Sequence, residues 1–226
     1  MKLSKYAALV RREGLCSVFR VHNDGVWLGC QGAIYRAGEL PEFSGREQTR
    51  AILSLDDKQM DKVYLREYDC EETRDVIGYN LRDYDPGEQA TKPVSMAAAF
   101  KGRYASALRT NDGELIFYDD NYLAPLSDVL KDSDYLEMTV RRLPSGTRYI
   151  AVKDGFNILA VILPLEIICE KFLADLQEFE ALCTEQLFRQ RARAEAGEAA
   201  DSAELPDEND NQTSMEGMDD GTGESD

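Results

Sequence analysis

The sequence has few of the residues that enzymes use as bases and metal ligands. It contains one histidine, His22, in 226 residues, so a site built from two or more histidines is excluded. Its five cysteines include no pair with the two-residue separation of a zinc knuckle or redox dithiol. Neither a Walker sequence nor a nucleophile elbow occurs, and Gly29-Cys30-Gln31-Gly32 lacks the basic residues of a phosphate-binding loop. These absences predict no metal and no cofactor, and they favour a non-enzymatic function.

Long apolar runs are also missing. The longest, residues 158–165, is far shorter than the roughly 20 residues that cross a bilayer. Lys5, Arg11 and Arg12 interrupt the apolar residues at the amino terminus, which predicts that no secretion signal is present and that the protein is cytoplasmic, away from membranes. The cysteines lie in apolar surroundings and are odd in number, so we expect buried, reduced thiols. They are Cys16, Cys30, Cys70, Cys169 and Cys183.

The end of the chain lacks basic, aromatic and β-branched aliphatic residues altogether. Residues 195–226 hold twelve of the 43 Asp and Glu residues, which leaves 31 acidic and 26 basic residues in positions 1–194. The net charge of -17 therefore comes mostly from this segment. Such low hydrophobicity and high charge cannot offset chain entropy, so the sequence predicts a disordered acidic tail.

The remaining sequence is typical of an α+β protein. Asp-Gly turns separate short apolar runs, which predicts antiparallel, hairpin-rich sheets with short helices and a long carboxyl-terminal amphipathic helix. Residues 85–93 contain two prolines and a glycine but no large apolar side chain, so we predict a loop there. This loop would separate an amino-terminal subdomain, 1–84, from a carboxyl-terminal subdomain, 94–194.

Three local patterns carry most of the secondary-structure prediction. Residues 3–13 have helical composition and Gly14 follows as a stop signal. Asn23-Asp24-Gly25 predicts a hairpin turn, next to which His22 is expected to face solvent. A helix is predicted from about Pro164 into the arginines near position 190, because apolar residues recur at helical spacing. This stripe consists of Leu165, Ile168, Phe172, Leu176, Phe179 and Leu187.

Two adjacent carboxylates, Asp119 and Asp120, end a predicted strand. A carboxylate pair in this position can hold Mg²⁺ together with a third acidic group, which would make the chain a Mg²⁺-dependent enzyme. Aspartate or asparagine at this point also caps a helix, here one beginning at Tyr122. The sequence favours the capping role.

Five arginines are candidate contacts for nucleic acid. Arg141 and Arg142 lie on a predicted strand, and the other three close the predicted final helix, where cations are also favoured by the helix dipole. If the cluster binds a polyanion, the acidic tail would compete with that ligand. The three helical arginines are Arg189, Arg191 and Arg193.

In its overall sequence character, the segment 1–190 resembles uncharacterised accessory proteins carried by prophages and mobile elements of Gram-positive bacteria. In addition, Asp24-Gly25, Asp112-Gly113 and Asp154-Gly155 each precede an apolar strand and, further on, a proline and a helical stretch. This repeated unit is similar in pattern to the β/α repeats of DNA sliding clamps. The resemblances imply a phage-associated accessory protein and, from the second, a clamp-like partner of nucleic acid.

These patterns lead to three predicted functions. The first is a non-enzymatic accessory protein that binds another protein through its sheet or final helix, with Ile168, Phe172 and Phe179 as contacts. The second is a nucleic-acid-associated, clamp-like or DNA-processing factor. The third is the Mg²⁺-dependent enzyme. The sequence leaves self-association through the final helix open as well.

Overall fold

The structure is a computed structural model that describes residues 1–22, 24–38, 40–41, 43–72, 76–100 and 102–201. The chain forms two compact units, Met1–Ile167 and Ile168–Asp226. Within the described range, the second unit contains one helix, α5, Glu170–Asp201. No helix in the described ranges combines the length and the hydropathy needed to cross a membrane.

The first unit is built on one ten-stranded sheet. Its strand order is β4-β1-β2-β3-β10-β9-β8-β5-β6-β7, and every neighbouring pair is antiparallel except β1 with β4. The predicted α+β class, with antiparallel hairpins, short helices and a long final helix, is confirmed. The strands are β1 Leu15–Val21, β2 Gly25–Gly29, β3 Ala33–Arg36, β4 Tyr64–Cys70, β5 Gln89–Phe100, β6 Arg103–Thr110, β7 Leu115–Asp119, β8 Leu136–Arg142, β9 Arg148–Asp154 and β10 Asn157–Ile162. The helices are α1 Leu3–Glu13, α2 Gly45–Ile52, α3 Asp57–Met60, a 3₁₀ helix Asp120–Leu126 and α4 Val129–Asp132.

Helix α1 covers one face of the sheet, and its sequence explains both its end and its buried side. Gly14 takes the left-handed conformation, with φ of 70°, and its N–H donates to the carbonyl of Val10, as expected for a glycine that ends a helix. Tyr6, Leu9 and Val10 recur at helical spacing and are all buried. They join a core formed by residues of β1–β3 and β6–β10. Burial of this apolar side therefore fixes α1 on the sheet.

The end of the predicted loop 85–93 differs from the observed one. The predicted loop 85–93 ends at Glu88, because Gln89 and Ala90 pair with Val140 and Thr139 of β8. The boundary between compact units follows Ile167, and strands from both sides of 85–93 share the single sheet. The predicted division into subdomains 1–84 and 94–194 stays a prediction.

Helix α5 begins later and ends later than the helical spacing of apolar residues in the sequence predicts. Leu165 does not belong to it, because the Leu165 N–H donates to the carbonyl of Phe117 at 2.7 Å. The helix continues to Asp201, through an alanine-rich segment with high helix propensity. Helix α5 therefore includes the first seven residues of the predicted tail, and the others, 202–226, lie outside the described residues.

A segment between β4 and β5 covers the opposite face of the sheet. Val76, Tyr79 and Leu81 pack in a second core with Trp27 and Tyr149, which project from β2 and β9. Because this segment lacks regular secondary structure where it is described, its backbone carbonyls need other partners.

Arg141 of β8 supplies those partners. Its side chain is fully buried, and its Nη1 donates to the carbonyls of Asn80 at 2.9 Å and Arg82 at 2.7 Å. Its Nη2 donates to the carbonyl of Asp83 at 2.5 Å and to a Glu88 carboxylate oxygen at 2.6 Å. Arg141 therefore anchors the covering segment and is not available to a phosphate group, which corrects its predicted role as a nucleic-acid contact.

Replacing Arg141 with Met should destabilise the protein by about 3–5 kcal/mol, since it leaves the carbonyls of Asn80 and Arg82 without this donor and removes one of the two cations that contact the half-buried Glu88 carboxylate. Arg142→Met is the matched control on the neighbouring position. The side chain of Arg142 is half exposed and lies 3.7 Å from Glu114, so its loss should cost less than about 1 kcal/mol. Urea unfolding followed by circular dichroism measures both, and equal small losses would refute the anchoring role.

Candidate functional site

A group of charged side chains in the first unit lies where α1 meets the end of β7. Helix α1 brings Arg12 and Glu13 there with its last turn, and β6 contributes Arg103 with its first residue. Asp119 ends β7, and Tyr122 follows on the 3₁₀ helix. We call these five side chains the charged cluster.

Glu13 is the centre of the hydrogen bonds in this cluster. Its carboxylate is 1% exposed, and one oxygen accepts from Arg12 Nη2 at 2.7 Å and from the Tyr122 hydroxyl at 2.8 Å. The other oxygen accepts from the backbone N–H of Gln31 at 2.8 Å. A buried carboxylate with three donors ties α1 to the β2–β3 turn and to the 3₁₀ helix.

Asp119 is fully buried beside two guanidinium groups. Its Oδ1 accepts from the backbone N–H of Asn121 at 2.9 Å and from Asn121 Nδ2 at 2.8 Å. Its Oδ2 makes no hydrogen bond of good geometry but lies 3.2 Å from Arg12 Nη2 and 3.6 Å from Arg103 Nη1. The predicted capping role of Asp119 is confirmed, because it caps the 3₁₀ helix that contains Tyr122.

The surroundings of Asp119 and Asp120 differ from those of a magnesium site. Guanidinium groups already balance the charge of Asp119, and the second carboxylate, Asp120, accepts from Ser106 Oγ at 2.9 Å. Across the part of the chain that the structure describes, no three His, Cys, Asp or Glu side chains converge as a cation would require. The arrangement thus gives the two aspartates other partners than a shared metal.

The groups in and beside the cluster that could act as nucleophiles are held in their neutral forms. Burial raises the pKa of Tyr122, and the hydrogen bond that it donates to Glu13 raises it further. Burial likewise raises the pKa of Cys30, with a smaller contribution from the Glu13 charge. A neutral phenol and a neutral thiol are poor nucleophiles. What the arrangement does chemically is join α1, the β2–β3 turn and the end of β7.

Gly32 is needed for this packing. A Cβ atom at Gly32 would lie 2.6 Å from Cζ of Tyr122, closer than real side chains approach. The sequence shows two glycines, Gly29 at the end of β2 and Gly32 just before β3. It does not show that Gly32 contacts Tyr122, which lies 90 positions later.

The predicted arginine contacts do not form one surface on α5. The helix continues past Arg193 to Asp201, so these arginines are not in its last turn, and the predicted helix-dipole role is wrong. At 3.6 residues per turn, Arg189 and Arg193 lie on one side and Arg191 lies nearly opposite. Arg189 Nη2 is 2.5 Å from a Glu185 carboxylate oxygen one turn earlier.

The three residues predicted to contact a protein partner differ in their exposure and in their position relative to α5. Phe179 lies on α5 and is 65% exposed, whereas Phe172 on the same helix is half-buried. Ile168 is 52% exposed but precedes the helix. Sequence reasoning missed Leu173 and Leu182, which are also exposed on α5 and whose helical spacing from Leu176 and Phe179 was the available signal.

The five cysteines are all free, but they are not all buried. Cys16, Cys30 and Cys70 are buried as predicted, whereas Cys169 and Cys183 are exposed, which corrects the prediction for these two. Their apolar neighbours led to the error, because apolar residues next to them, such as Ile168 and Leu182, are themselves exposed on or beside α5. His22 is exposed next to its turn, as predicted.

No protein-family model, curated protein or solved structure matches this chain. The resemblances to mobile-element accessory proteins and to sliding clamps therefore stay predictions.

Substituting Gly32 with Ala should destabilise the protein by about 1–3 kcal/mol, since the new methyl group overlaps the Tyr122 ring. In a Tyr122→Ala background the same change should cost much less, because the clash is removed. Gly87→Ala is the control: its Cβ would meet only Asp85 Oδ1, at 3.4 Å, and the expected effect is within about 0.5 kcal/mol. Denaturant unfolding of the four proteins gives the coupling energy, and a coupling of zero would rule the contact out.

Thiol titration should divide the cysteines into two classes. In dilute native protein at pH 8, only Cys169 and Cys183 should react rapidly with a disulfide reagent, and all five should react after denaturation. Burial raises the pKa of Cys16 to about 11, so its folded-state pKa lies above its unfolded value. The stability that this thiol contributes is complete below the unfolded pKa and is lost as the pH rises towards about 11. Rapid reaction of a third native thiol would contradict the described burial.

Proposed function

We propose that this chain is a non-enzymatic accessory protein that binds another protein through the apolar side of α5. The observation that carries the proposal is the exposure of large apolar side chains along this helix. None of the described side chains from 168 to 196 is buried. The exposed apolar residues of α5 are Leu173, Leu176, Phe179, Leu182, Leu187 and Phe188, at 40–65% exposure.

Five of these residues fall on one side of the helix. Leu176 and Phe179 lie at its middle together with Cys183, and Leu173, Leu182 and Leu187 flank them at helical spacing. We call these six residues the apolar stripe. Phe188 lies outside it. The other side carries polar residues, and these include Glu170, Lys171, Gln177, Glu178, Thr184 and Glu185.

Burying this stripe would release a large free energy. Complete burial of one leucine or phenylalanine side chain contributes about 1.5–3 kcal/mol, and the stripe offers several such side chains in a row. An isolated helix gains little stability in water without such packing. A helix that presents an amphipathic side to a partner is a recurrent mode of protein recognition.

Two further features support the setting of this function. Five free cysteines, of which two are exposed, are typical of a reducing compartment, which supports a cytoplasmic location. The acidic residues of 195–226 disfavour contact with nucleic acid through charge repulsion. The origin in a phage or mobile element rests on the sequence resemblance alone.

Affinity capture from the native host, followed by mass spectrometry, tests the proposal. We expect proteins retained by the tagged chain to be lost, at least tenfold, from a Leu176→Glu/Phe179→Glu variant, because charges in the stripe prevent its burial. Gln177→Glu/Thr184→Glu, which adds the same charge to the polar side, is the matched control and should retain them.

Identical capture by all three proteins would refute the role of the stripe. Capture that nuclease treatment abolishes, and that the stripe variant keeps, would favour the nucleic-acid alternative.

A further inference from the structure

We infer that the partner of the apolar stripe is the stripe of a second copy of this chain, with the two α5 helices antiparallel. This inference rests on the proposed function and names its partner. It is carried by the distribution of apolar and charged residues along α5.

The apolar residues follow a heptad pattern over about two heptads. Leu176 and Cys183 are seven residues apart and take one seam position, and Phe172 and Phe179 take the other, so these four residues form the apolar seam of a two-helix interface. Leu173 and Leu187 widen the seam on one flank, and Leu182 does so on the other. A seam that is apolar on both flanks favours pairing with an equally broad apolar surface, and an identical helix provides one.

The charges on the flanks distinguish the two directions of pairing. In a parallel pair, each flanking residue approaches the residue five positions later on its partner. Asp175 would then face Glu180 of the second copy, twice over by symmetry, and both contacts are repulsive.

An antiparallel pair places opposite charges together. With the two-fold axis level with position 181 along the helix, Phe179 packs beside Cys183 of the second copy, and Leu173 lies near the second Leu187. Asp175 then lies within one turn of Arg189 of the second copy, again twice, and these contacts are attractive. The remaining like-charged contact is a single Glu180 pair. Charge complementarity therefore favours the antiparallel arrangement.

The interface is isologous, because each copy offers the same surface. It also leaves the polar side of α5, with Lys171, Glu178 and Glu185, in water. The intrahelical ion pairs Lys171–Asp175, at 2.8 Å, and Glu185–Arg189, at 2.5 Å, stay compatible with the two interhelical contacts, since a carboxylate can accept from several donors.

Sedimentation equilibrium of the purified full chain, without any host protein, tests the inference. We expect a reversible monomer–dimer equilibrium in which the fraction of dimer rises with protein concentration. Leu176→Glu/Phe179→Glu should abolish the dimer, and Gln177→Glu/Thr184→Glu should leave it unchanged. Circular dichroism of each variant reports whether the first unit stays folded.

Charge exchange tests the direction of the helices. Asp175→Arg should weaken the dimer about tenfold, which corresponds to about 1.4 kcal/mol, because two attractive contacts become repulsive. Arg189→Asp should do the same. An equimolar mixture of these two variants should form a heterodimer as strong as the original dimer, since every Asp175–Arg189 contact then again joins opposite charges. Glu178→Arg, on the polar side, is the control for the change in net charge.

The outcomes separate this inference from the proposed function. A chain that is monomeric at every accessible concentration overturns the inference, while the capture experiment decides independently whether a different protein uses the stripe. A dimer that survives the stripe variant also overturns it. Tighter association of Asp175→Arg would indicate parallel helices and overturn the antiparallel arrangement.

Discussion

The fold of the first unit depends on burying both faces of a single sheet. One face is buried by a few short helices, and the other by a segment without regular secondary structure. Helix α1 and the short helices bury one face, and the segment around residues 76–88 buries the other. The segment 76–88 forms no helix or strand, so its carbonyl groups depend on hydrogen-bond donors from the sheet. Arg141 provides them from β8, and Lys153 of β9 assists, with its Nζ 3.0 Å from Asp83 and 3.2 Å from Glu88. A fully buried guanidinium thus takes the place of a layer of secondary structure.

On the other face of the sheet, the charged cluster supplies hydrogen-bond and charge partners to buried polar groups. Glu13 and Asp119 are buried, and each meets donors from a part of the chain distant in sequence. Two carboxylates and two arginines balance one another, so the cluster closes the end of α1 without leaving an uncompensated charge. Burial also raises the pKa of Tyr122 and of Cys30, which lie in and beside this cluster.

The proposed function therefore moves away from the core and onto α5. The large apolar side chains of the stripe on α5 are 40–65% exposed. In the inferred dimer, the flanking charges of Asp175 and Arg189 favour antiparallel pairing of that stripe. Within α5, Arg191 lies on a different side from Arg189 and Arg193. Within the first unit, Arg142 is half exposed beside Glu114.

The sequence by itself determined the features that depend on a few neighbouring residues. The α1 helix and its end at Gly14, the hairpins and the capping by Asp119 follow from backbone conformations that local side chains favour. Only the tertiary structure decided which residues were buried. Arg141 and Arg142 are adjacent and chemically identical, yet one is enclosed and the other half exposed, because successive residues of a strand face opposite sides and only one side meets residues 80–88. The exposure of Cys183, the pairing of Leu165 with Phe117 and the closure of Tyr122 over Gly32 have the same origin. Each depends on a contact, or on the lack of one, between segments that local periodicity cannot bring together.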